Sequence, residues 1–387
     1  MTVEEYIMEK KKFYITTTVP MTLAFFQGQC KTLTETYDVC AVSSPDKELI
    51  PFAEQEGIRF KALRMKREIS LLNDLIALLL WIWLLLCERP YVVHANTPKA
   101  SLLAMIAAWL TFRPVRIYMC HGLRYQGCTG MKRKILMWME RISCFCANHV
   151  ICVSKGVREQ LAEDDICCLE KSKVILYGSA NGVDTEWFDP MLVDDTTVKT
   201  EYGITENDFT CVFIGRIVRD KGVEELVKVT KRLHDEGLPI KLLLVGGREK
   251  KLDALSESTE QIVAKNDFFM ECGQQSDVRP FIKTSKLLVL PSYREGFGQV
   301  LIEANSLGIP VIASRIMGCK NVVNEGMNGL LCEPHDAQSL HDVMKVLLEN
   351  KELYNNIKKN CREYVISHFD RKKVISAYVE YYKSFLM

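Results

Sequence analysis

Two carboxylates lie eight positions apart, Glu295 and Glu303, in the segment EGFGQVLIE. A glycine turn follows the first of them, made of Gly296, Phe297 and Gly298. If a helix begins near Gly298, Glu303 lies about 7.5 Å further along its axis, at about 1.5 Å per residue. Glycines permit close approach of a ligand, and the free amides of a helix start favour a bound diphosphate. We therefore predict an anion site here, with Glu303 accepting hydrogen bonds from vicinal hydroxyls such as those of ribose and Glu295 holding a hydroxyl of a transferred sugar.

Two cations lie upstream in the segment GRIVRDKG, Arg216 and Lys221, immediately after the apolar run 209–214. The end of a strand and the start of the next helix is where open α/β sheets bind ligands. An arginine binds phosphate oxygens as a fork and a lysine adds a mobile point charge, so the pair fits a diphosphate leaving group. Further on, Gly273 follows the run 268–271 and is either a contact to a nucleotide base through backbone amides or part of a plain loop.

These residues need strands and helices to position them, and short β-branched runs alternate with helical patterns along the whole chain. This alternation predicts α/β architecture with parallel sheets. The predicted strands are 13–17, 37–42, 91–94, 115–119, 150–153 and 174–176, and then 209–214, 240–245, 268–271, 287–290 and 311–313. The pattern restarts after a polar stretch that ends near 207, which indicates two Rossmann-like domains. We expect an N-terminal domain over 1–187, a C-terminal nucleotide-sugar domain over 188–364, and a C-terminal helical segment over 365–387 that crosses back to the first domain.

The composition restricts the class of protein. At 387 residues, two domains are the better expectation. With 48% hydrophobic and 26% charged residues and a formal net charge of +1, the chain is a globular protein with no overall affinity for nucleic acid. Its fifteen cysteines include no CxxC pair, and the first twelve residues lack the apolar stretch of a secretory leader. We expect reduced thiols and a cytoplasmic protein.

One segment, 71–86, is nearly all apolar, yet it is shorter than the roughly 20 residues that cross a bilayer. Basic residues precede it between 59 and 67, and Lys132, Arg133 and Lys134 begin a second apolar helix. Basic residues beside apolar helix faces suit an anionic membrane surface. We expect peripheral attachment to the inner leaflet of the membrane, the alternative being core helices with solvated ends.

The four donor residues, in this order and spacing, resemble the retaining family 4 glycosyltransferases of the GT-B fold. Glu295 and Glu303 match that family's pair of glutamates, Arg216 and Lys221 match its cations, and the segments NGVD and ANSLGIPVIAS look similar to further hallmarks of the family. In the first half, His121 followed by a glycine matches a histidine that faces the transferred sugar in that family, where its role is positioning. The segment HGLRY resembles bacterial enzymes that extend saccharides linked to undecaprenyl diphosphate.

The resemblance implies two Rossmann-like domains that face each other across a cleft. It implies a nucleotide sugar as donor and a polyprenyl-linked saccharide as acceptor. The nucleotide of the donor would be uridine diphosphate, and an N-acetylhexosamine is one candidate for its sugar. The reaction would retain anomeric configuration, with Glu295, His121, Arg216 and Lys221 as the catalytic group. No metal or other cofactor is expected, since the chain lacks HExxH and GxGxxG signatures.

Three alternatives remain open at this point. A carboxylate pair also serves retaining glycoside hydrolysis, but Arg216 and Lys221 would have no partner in an uncharged glycoside. A sugar-nucleotide epimerase can share a two-domain fold of this kind, and a nucleotide-sugar-binding subunit without turnover could keep the same residues. Acceptor dependence separates them, because a transferase consumes donor faster with acceptor, an epimerase converts it alone, and a binder does neither.

Overall fold

The computed structural model describes residues 10–66, 70–249 and 253–386, and these divide into two compact units. The first unit contains residues up to Asn181 together with those from Lys373 onward, and the second runs from Gly182 to Lys372. Both boundaries differ from the expected 187/188 and 364/365. The backbone explains the difference, because Val183 N donates to Phe369 O and Arg371 N donates to Val183 O. These bonds join the segments around 183 and 370 to each other within the second unit.

The first unit is built on a seven-stranded sheet in which every recorded pairing is parallel, in the order β3-β2-β1-β4-β5-β6-β7. Its strands are β1 (Lys12–Thr16), β2 (Asp38–Ser43), β3 (Arg59–Ala62), β4 (Val92–Ala95), β5 (Val115–Cys120), β6 (His149–Cys152) and β7 (Ser172–Lys173). Its helices are α1 (Gln29–Leu33), α2 (Leu49–Glu56), α3 (Leu71–Glu88), α4 (Pro98–Leu110), α5 (Gly130–Cys146) and α6 (Lys155–Glu163). Strands covered on both faces are mostly apolar, which is why β1, β4 and β6 could be predicted from short apolar runs.

The second unit repeats the design with six parallel strands in the order β10-β9-β8-β11-β12-β13. Its strands are β8 (Phe209–Ile214), β9 (Ile240–Val245), β10 (Phe269–Gly273), β11 (Leu287–Leu290), β12 (Val311–Ser314) and β13 (Gly329–Cys332). Its helices are α7 (Thr196–Glu201), α8 (Val223–Asp235), α9 (Glu257–Lys265), α10 (Arg279–Thr284), α11 (Gln299–Ser306), α12 (Ala337–Glu349) and α13 (Lys351–His368). The last helix, α14 (Arg371–Lys383), begins in this unit and lies mostly in the first.

The structure corrects three secondary-structure predictions. The strand expected at 174–176 is instead the two-residue β7, which ends at Lys173. Two edge strands, β3 and β13, were not predicted; β3 is mostly exposed and therefore carries no apolar run. The single C-terminal amphipathic segment is two helices, α13 and α14.

Two further expectations concern the thiols and the apolar segment 71–86. All fifteen cysteines are free, and twelve of them are buried. The apolar segment forms α3, which at 18 residues is longer than expected and reaches the length and apolar composition of a membrane span. Only 22% of those residues are buried, so α3 is not a core helix.

Each sheet reverses its strand order once, between β1 and β4 in the first unit and between β8 and β11 in the second. The loops that leave neighbouring strands at such a point turn to opposite faces and leave a crevice at the carboxyl edge, where α/β proteins bind ligands. The segments predicted to carry chemistry leave β8 and β11, so the topology brings them to this crevice in the second unit.

Candidate active site

The predicted cation Lys221 and the predicted carboxylate Glu295 are in direct contact. Lys221 Nζ lies 2.5 Å from Glu295 Oε1, and the two side chains are 18% and 16% exposed. Ser292 Oγ donates to the same carboxylate oxygen at 3.0 Å. The loops after β8 and β11 therefore place one cation and one anion together at the reversal point of the second sheet, still reachable from solvent.

A second ion pair joins the same two loops. Arg294 Nε and Nη2 donate to both carboxylate oxygens of Asp220, at 2.8 and 2.7 Å, and Tyr293 N donates to Asp220 O at 2.9 Å. A two-bond contact of this kind fixes orientation as well as distance. Asp220 and Arg294 each adjoin a predicted site residue, but their pairing was not predicted because the partners are 74 positions apart.

Glycines let the backbones of these loops approach each other. A Cβ on Gly222, whose φ is +68°, would come within 2.0 Å of Pro291 O. A Cβ on Gly318 would come within 2.4 Å of Glu295 O. Any larger residue at either position would displace the backbone that presents Lys221 or Glu295.

The turn 296–298 starts α11 as predicted, with Gly298 at its N-cap and a φ of +76°. Phe297 does not face a ligand as a side chain, because it is buried and packs edge-on against Phe369 with ring centroids 5.6 Å apart. The predicted binding role of Phe297 is thus limited to its backbone. The first amide groups of α11 lack acceptors within the helix and carry the positive end of its dipole, so this turn is suited to an anion.

Glu303 lies one turn into α11 and is half-buried. Burial raises the pKa of the Glu303 carboxyl to about 7, while a hydrogen bond from Gln299 and the charge of Arg371 act in the opposite direction. Arg371 is itself held by Asp184 at 3.3 Å. The carboxyl therefore lies in a poorly solvated position where polar hydroxyl groups of a ligand would stabilise its charged form.

Arg216 and Gly273 lie apart from the Lys221–Glu295 contact. The side chain of Arg216 is 63% exposed, and its Nη1 lies 3.6 Å from Glu249 Oε2, so no strong bond holds it in place. Gly273 ends β10 with a φ of +64°, and its carbonyl accepts from Gly246 N at 2.8 Å. Both residues lie at the carboxyl ends of strands β8 and β10, the same edge of the sheet as Lys221, without a recorded contact to it.

His121 lies in the first unit, one residue after β5. Its ring stacks on Phe25 at 5.3 Å, and its Nε2 lies 3.4 Å from Asn96 Oδ1. Burial lowers the pKa of His121 to about 4, so the ring is neutral at pH 7. An amide oxygen only accepts, which favours the tautomer with the proton on Nε2. A neutral, fixed ring suits positioning better than proton transfer.

His94, in β4, belongs to the same network. Asn96 Nδ2 lies 3.1 Å from His94 Nδ1, and Tyr382 Oη lies 3.0 Å from His94 Nε2. Burial, and secondarily the charge of His121, lowers the pKa of His94 to about 3. His94 is therefore a buried structural histidine that orients Asn96 and, through it, His121.

Over the described parts of the chain, no three His, Cys, Asp or Glu side chains group in a way that could hold a metal ion.

Two family models match the chain. The model described as "Glycosyltransferase Family 4" matches residues 29–187, and the one described as "Glycosyl transferases group 1" matches residues 194–364. The first match lies in the unit that contains His121, apart from its last six residues, and the second contains all the predicted donor residues.

Among curated relatives, the chain is 32% identical over 381 residues to a Staphylococcus aureus protein named "Capsular polysaccharide biosynthesis glycosyltransferase CapM", with 98% of each chain covered. It is 25% identical over 350 residues to an Escherichia coli protein named "UDP-Gal:alpha-D-GlcNAc-diphosphoundecaprenol alpha-1,3-galactosyltransferase", with 90% of this chain and 89% of the relative covered. The match to the first relative extends through both units.

Solved structures share the fold at low sequence identity. Anabaena HepE, crystallised with UDP and glucose, matches with a TM-score of 0.79 and 19% identity over 97% of this chain and all of that one. Sucrose-phosphate synthase from Thermosynechococcus elongatus matches with a TM-score of 0.81 and 20% identity over 97% and 99% of the two chains. At this identity the likeness concerns the fold.

The position of Glu303 predicts a pH dependence of stability. Its folded-state pKa is raised, so between pH 4.5 and 7 the folded protein keeps a proton that the unfolded chain has lost, and stability falls as pH rises through that window. We expect Glu303→Gln to remove this component. Between pH 5 and pH 8, the unfolding free energy of the wild type should fall by up to about 3 kcal/mol relative to that of the variant, as measured by urea denaturation.

The matched control is Glu352→Gln on the exposed side of α13. Parallel pH profiles for wild type and Glu303→Gln would contradict the assigned environment of Glu303.

Proposed function

We propose that this chain, which belongs to glycosyltransferase family 4 and has the GT-B fold, transfers a sugar from a uridine diphosphate sugar to a polyprenyl-diphosphate-linked saccharide. The transferred group would be a hexose or an N-acetylhexosamine, and the product would belong to a bacterial surface polysaccharide. The names of the two relatives support this choice, one through capsular polysaccharide biosynthesis and the other through a UDP-linked donor and an undecaprenyl-diphosphate acceptor.

The observation that carries the proposal is the contact between Lys221 and Glu295 beside the start of α11. A diphosphate bound at the helix start would have the amides of the turn on one side and Lys221 on the other. Glu295 would then be released in part from Lys221 and free to accept a hydrogen bond from the transferred sugar. Glu303 would accept hydrogen bonds from ribose hydroxyls.

The proposed step retains configuration without a protein nucleophile. The bond between the anomeric carbon and the diphosphate oxygen breaks, and an acceptor hydroxyl forms its bond to that carbon on the same face. The hydroxyl proton passes to an oxygen of the departing diphosphate. Arg216 and Lys221 stabilise the charge that grows on this leaving group, which is the reason we propose catalysis without a metal ion.

A screen of nucleotide sugars tests the reaction class. We expect donor consumption to rise at least tenfold when an undecaprenyl-diphosphate-linked saccharide is added, with the same rate in EDTA, measured by release of UDP. Conversion of the donor at the same rate without acceptor would indicate an epimerase, and binding without turnover would indicate a binding subunit. Loss of activity in EDTA would refute metal independence.

Arg216→Ala tests the donor site. We expect kcat/KM to fall by about 10²- to 10³-fold, because the lost charge acts on the leaving group in the transition state. Arg219→Ala is the matched control, since Arg219 is an exposed arginine in the same loop that bonds to Ala254 O instead. Equal activity of the two variants, with cooperative unfolding retained in both, would count against the assignment of Arg216.

The exposed side of α3 and α5 supports attachment to the cytoplasmic face of a membrane. α3 packs on α4, and α4 packs on α5, so the three helices form one layer of the first unit. Their large exposed apolar side chains are Leu71, Leu72, Leu75, Ile76, Leu79, Leu80, Trp83 and Leu86 on α3, Trp109 and Leu110 on α4, and Met131, Ile135, Trp138, Ile142 and Phe145 on α5. We name this surface the apolar helix layer.

Its charges also fit that role. Asp74, the acidic residue near the start of α3, is neutralised by Lys99 at 2.8 Å. Lys132, Arg133 and Lys134 are exposed in the first turn of α5, beside its apolar residues. Basic residues at the border of an apolar helix face are the pattern of interfacial helices. The layer is larger than the scattered apolar residues of an ordinary protein surface, which favours a lipid contact.

The double variant Trp83→Ser, Trp138→Ser tests the attachment. Burial of each exposed indole in the membrane interface would contribute about 1.5–3 kcal/mol to the free energy of binding. We therefore expect vesicle binding of the double variant to weaken at least tenfold in sedimentation assays. Trp187→Ser, at an exposed tryptophan of the second unit, is the control. Unchanged binding of the double variant, or a complete absence of binding by the wild type, would remove the membrane proposal.

A further inference from the structure

The edge of the first sheet opposite to His121 contains a cavity that the proposed reaction does not use. Its volume is about 450 Å³. Its walls come from the residues before β1, β4 and β5 and from the ends of α3 and α4. The lining residues are Lys10, Lys11, Lys12, Glu88, Arg89, Pro90, Tyr91, Phe112, Arg113 and Pro114. We name it the basic pocket.

The pocket contains five cations and one carboxylate. That carboxylate, Glu88, is already committed, since Lys12 and Lys61 lie 3.0 and 2.9 Å from it. Across residues 10–66, 70–249 and 253–386, the other four cations have no ion pair: Lys10, Lys11, Arg89 and Arg113. Their positive charge is uncompensated within the described chain.

The protein holds these cations in place rather than leaving them to spread into solvent. Lys11 Nζ lies 3.9 Å above the ring of Tyr91, whose hydroxyl donates to Phe385 O at 2.8 Å. Arg113 Nε and Nη2 donate to Thr111 O at 3.0 and 2.6 Å, which leaves Nη1 for another acceptor. Burial, and secondarily the charge of Arg89, lowers the pKa of Arg113, as expected for two guanidinium groups held close together.

Capping of helix ends explains only part of this arrangement. Arg113 binds a carbonyl just past α4, and Arg89 Nε lies 3.4 Å from Leu86 O at the end of α3, so both arginines offset the negative end of a helix dipole. Neither Lys10 nor Lys11 bonds to the end of α3 or α4, although Lys10 Nζ donates to Thr34 O at the end of α1 at 2.7 Å. Four cations that line one pocket, none of them paired with its single carboxylate Glu88, suit a phosphate group.

The position of the pocket favours a lipid as the source of such a phosphate. Phe112, in its wall, is 86% exposed, and Leu86 and Leu110, near the ends of α3 and α4, are 53% and 46% exposed. These residues continue the apolar helix layer to the rim of the basic pocket, because α3 and α4 both end there. Apolar residues next to paired cations match the boundary between acyl chains and headgroups.

We propose that the basic pocket binds the headgroup phosphate of an anionic phospholipid while the apolar helix layer rests on the membrane. This inference rests on the membrane attachment proposed above. Lys132, Arg133 and Lys134 lie at the other end of the layer, at the start of α5, whereas the pocket lies where α3 and α4 end. Cations at both ends of the layer would hold α3 parallel to the bilayer surface.

The variant Lys10→Gln, Lys11→Gln tests the pocket without changing the ends of α3 and α4. It removes the bond from Lys10 to Thr34 O at the end of α1, so its folding is also checked by circular dichroism. Sedimentation would use vesicles of phosphatidylcholine alone and vesicles containing 30% phosphatidylglycerol, at low ionic strength. We expect binding to the anionic vesicles to weaken roughly tenfold or more, at about fivefold per cation, and binding to phosphatidylcholine to stay unchanged. A second variant, Arg89→Gln, Arg113→Gln, should behave in the same way, with folding checked by circular dichroism.

The control variant Lys351→Gln, Lys359→Gln removes the same charge from the exposed side of α13. An equal loss in this control would show a bulk charge effect and overturn the pocket, as would no loss in either pocket variant. If 10 mM inorganic phosphate competes for the pocket and the protein binds the two vesicle types equally, the site belongs to free phosphate and the lipid is refuted. Because the pocket variants leave the donor residues intact, their turnover on a water-soluble acceptor should match wild type; failure of the transferase proposal would instead abolish turnover in every variant.

Discussion

The whole candidate site depends on one constraint, that parallel strands all end at the same edge of a sheet. Where the strand order reverses between β8 and β11, the two outgoing loops face each other, and Lys221 meets Glu295 there. Nothing else in the sequence would bring together two side chains 74 positions apart. The Arg294–Asp220 pair and the close backbone contact at Gly222 then keep the loops at that separation.

The charges of this site are unevenly compensated by the protein itself. Lys221 neutralises Glu295, whereas Arg216 is mostly exposed with a distant partner and Glu303 is held where ionisation is unfavourable. A diphosphate would give Arg216 and Lys221 a shared anion, and hydroxyl groups would solvate Glu303. His121 follows the opposite logic, because its neutral ring is already fixed by Phe25 and Asn96.

Much of the fold could be predicted from the sequence because buried parallel strands are continuous apolar runs. The predicted strands match β8, β9 and β11 residue for residue, at 209–214, 240–245 and 287–290. The edge strands β3 and β13 escaped, since an edge strand such as β3 is exposed and looks like a loop. The family 4 membership and the GT-B fold were expected from a resemblance carried by the four donor residues, His121 and the segments NGVD and ANSLGIPVIAS, and the comparisons confirm both. Side-chain partners such as Asp220 with Arg294, or the burial of Phe297, depend on contacts distant in sequence and could not be predicted.

The return of α14 to the first unit has a consequence for the order in which the chain can fold during synthesis. Tyr382 packs against Phe13 at 5.2 Å and bonds to His94, and the Tyr378 hydroxyl donates to Ser179 O. The first unit therefore lacks part of its core until Tyr382 has left the ribosome, whereas the second unit needs the chain only as far as Lys372. The half of the protein made first is the half that finishes folding last.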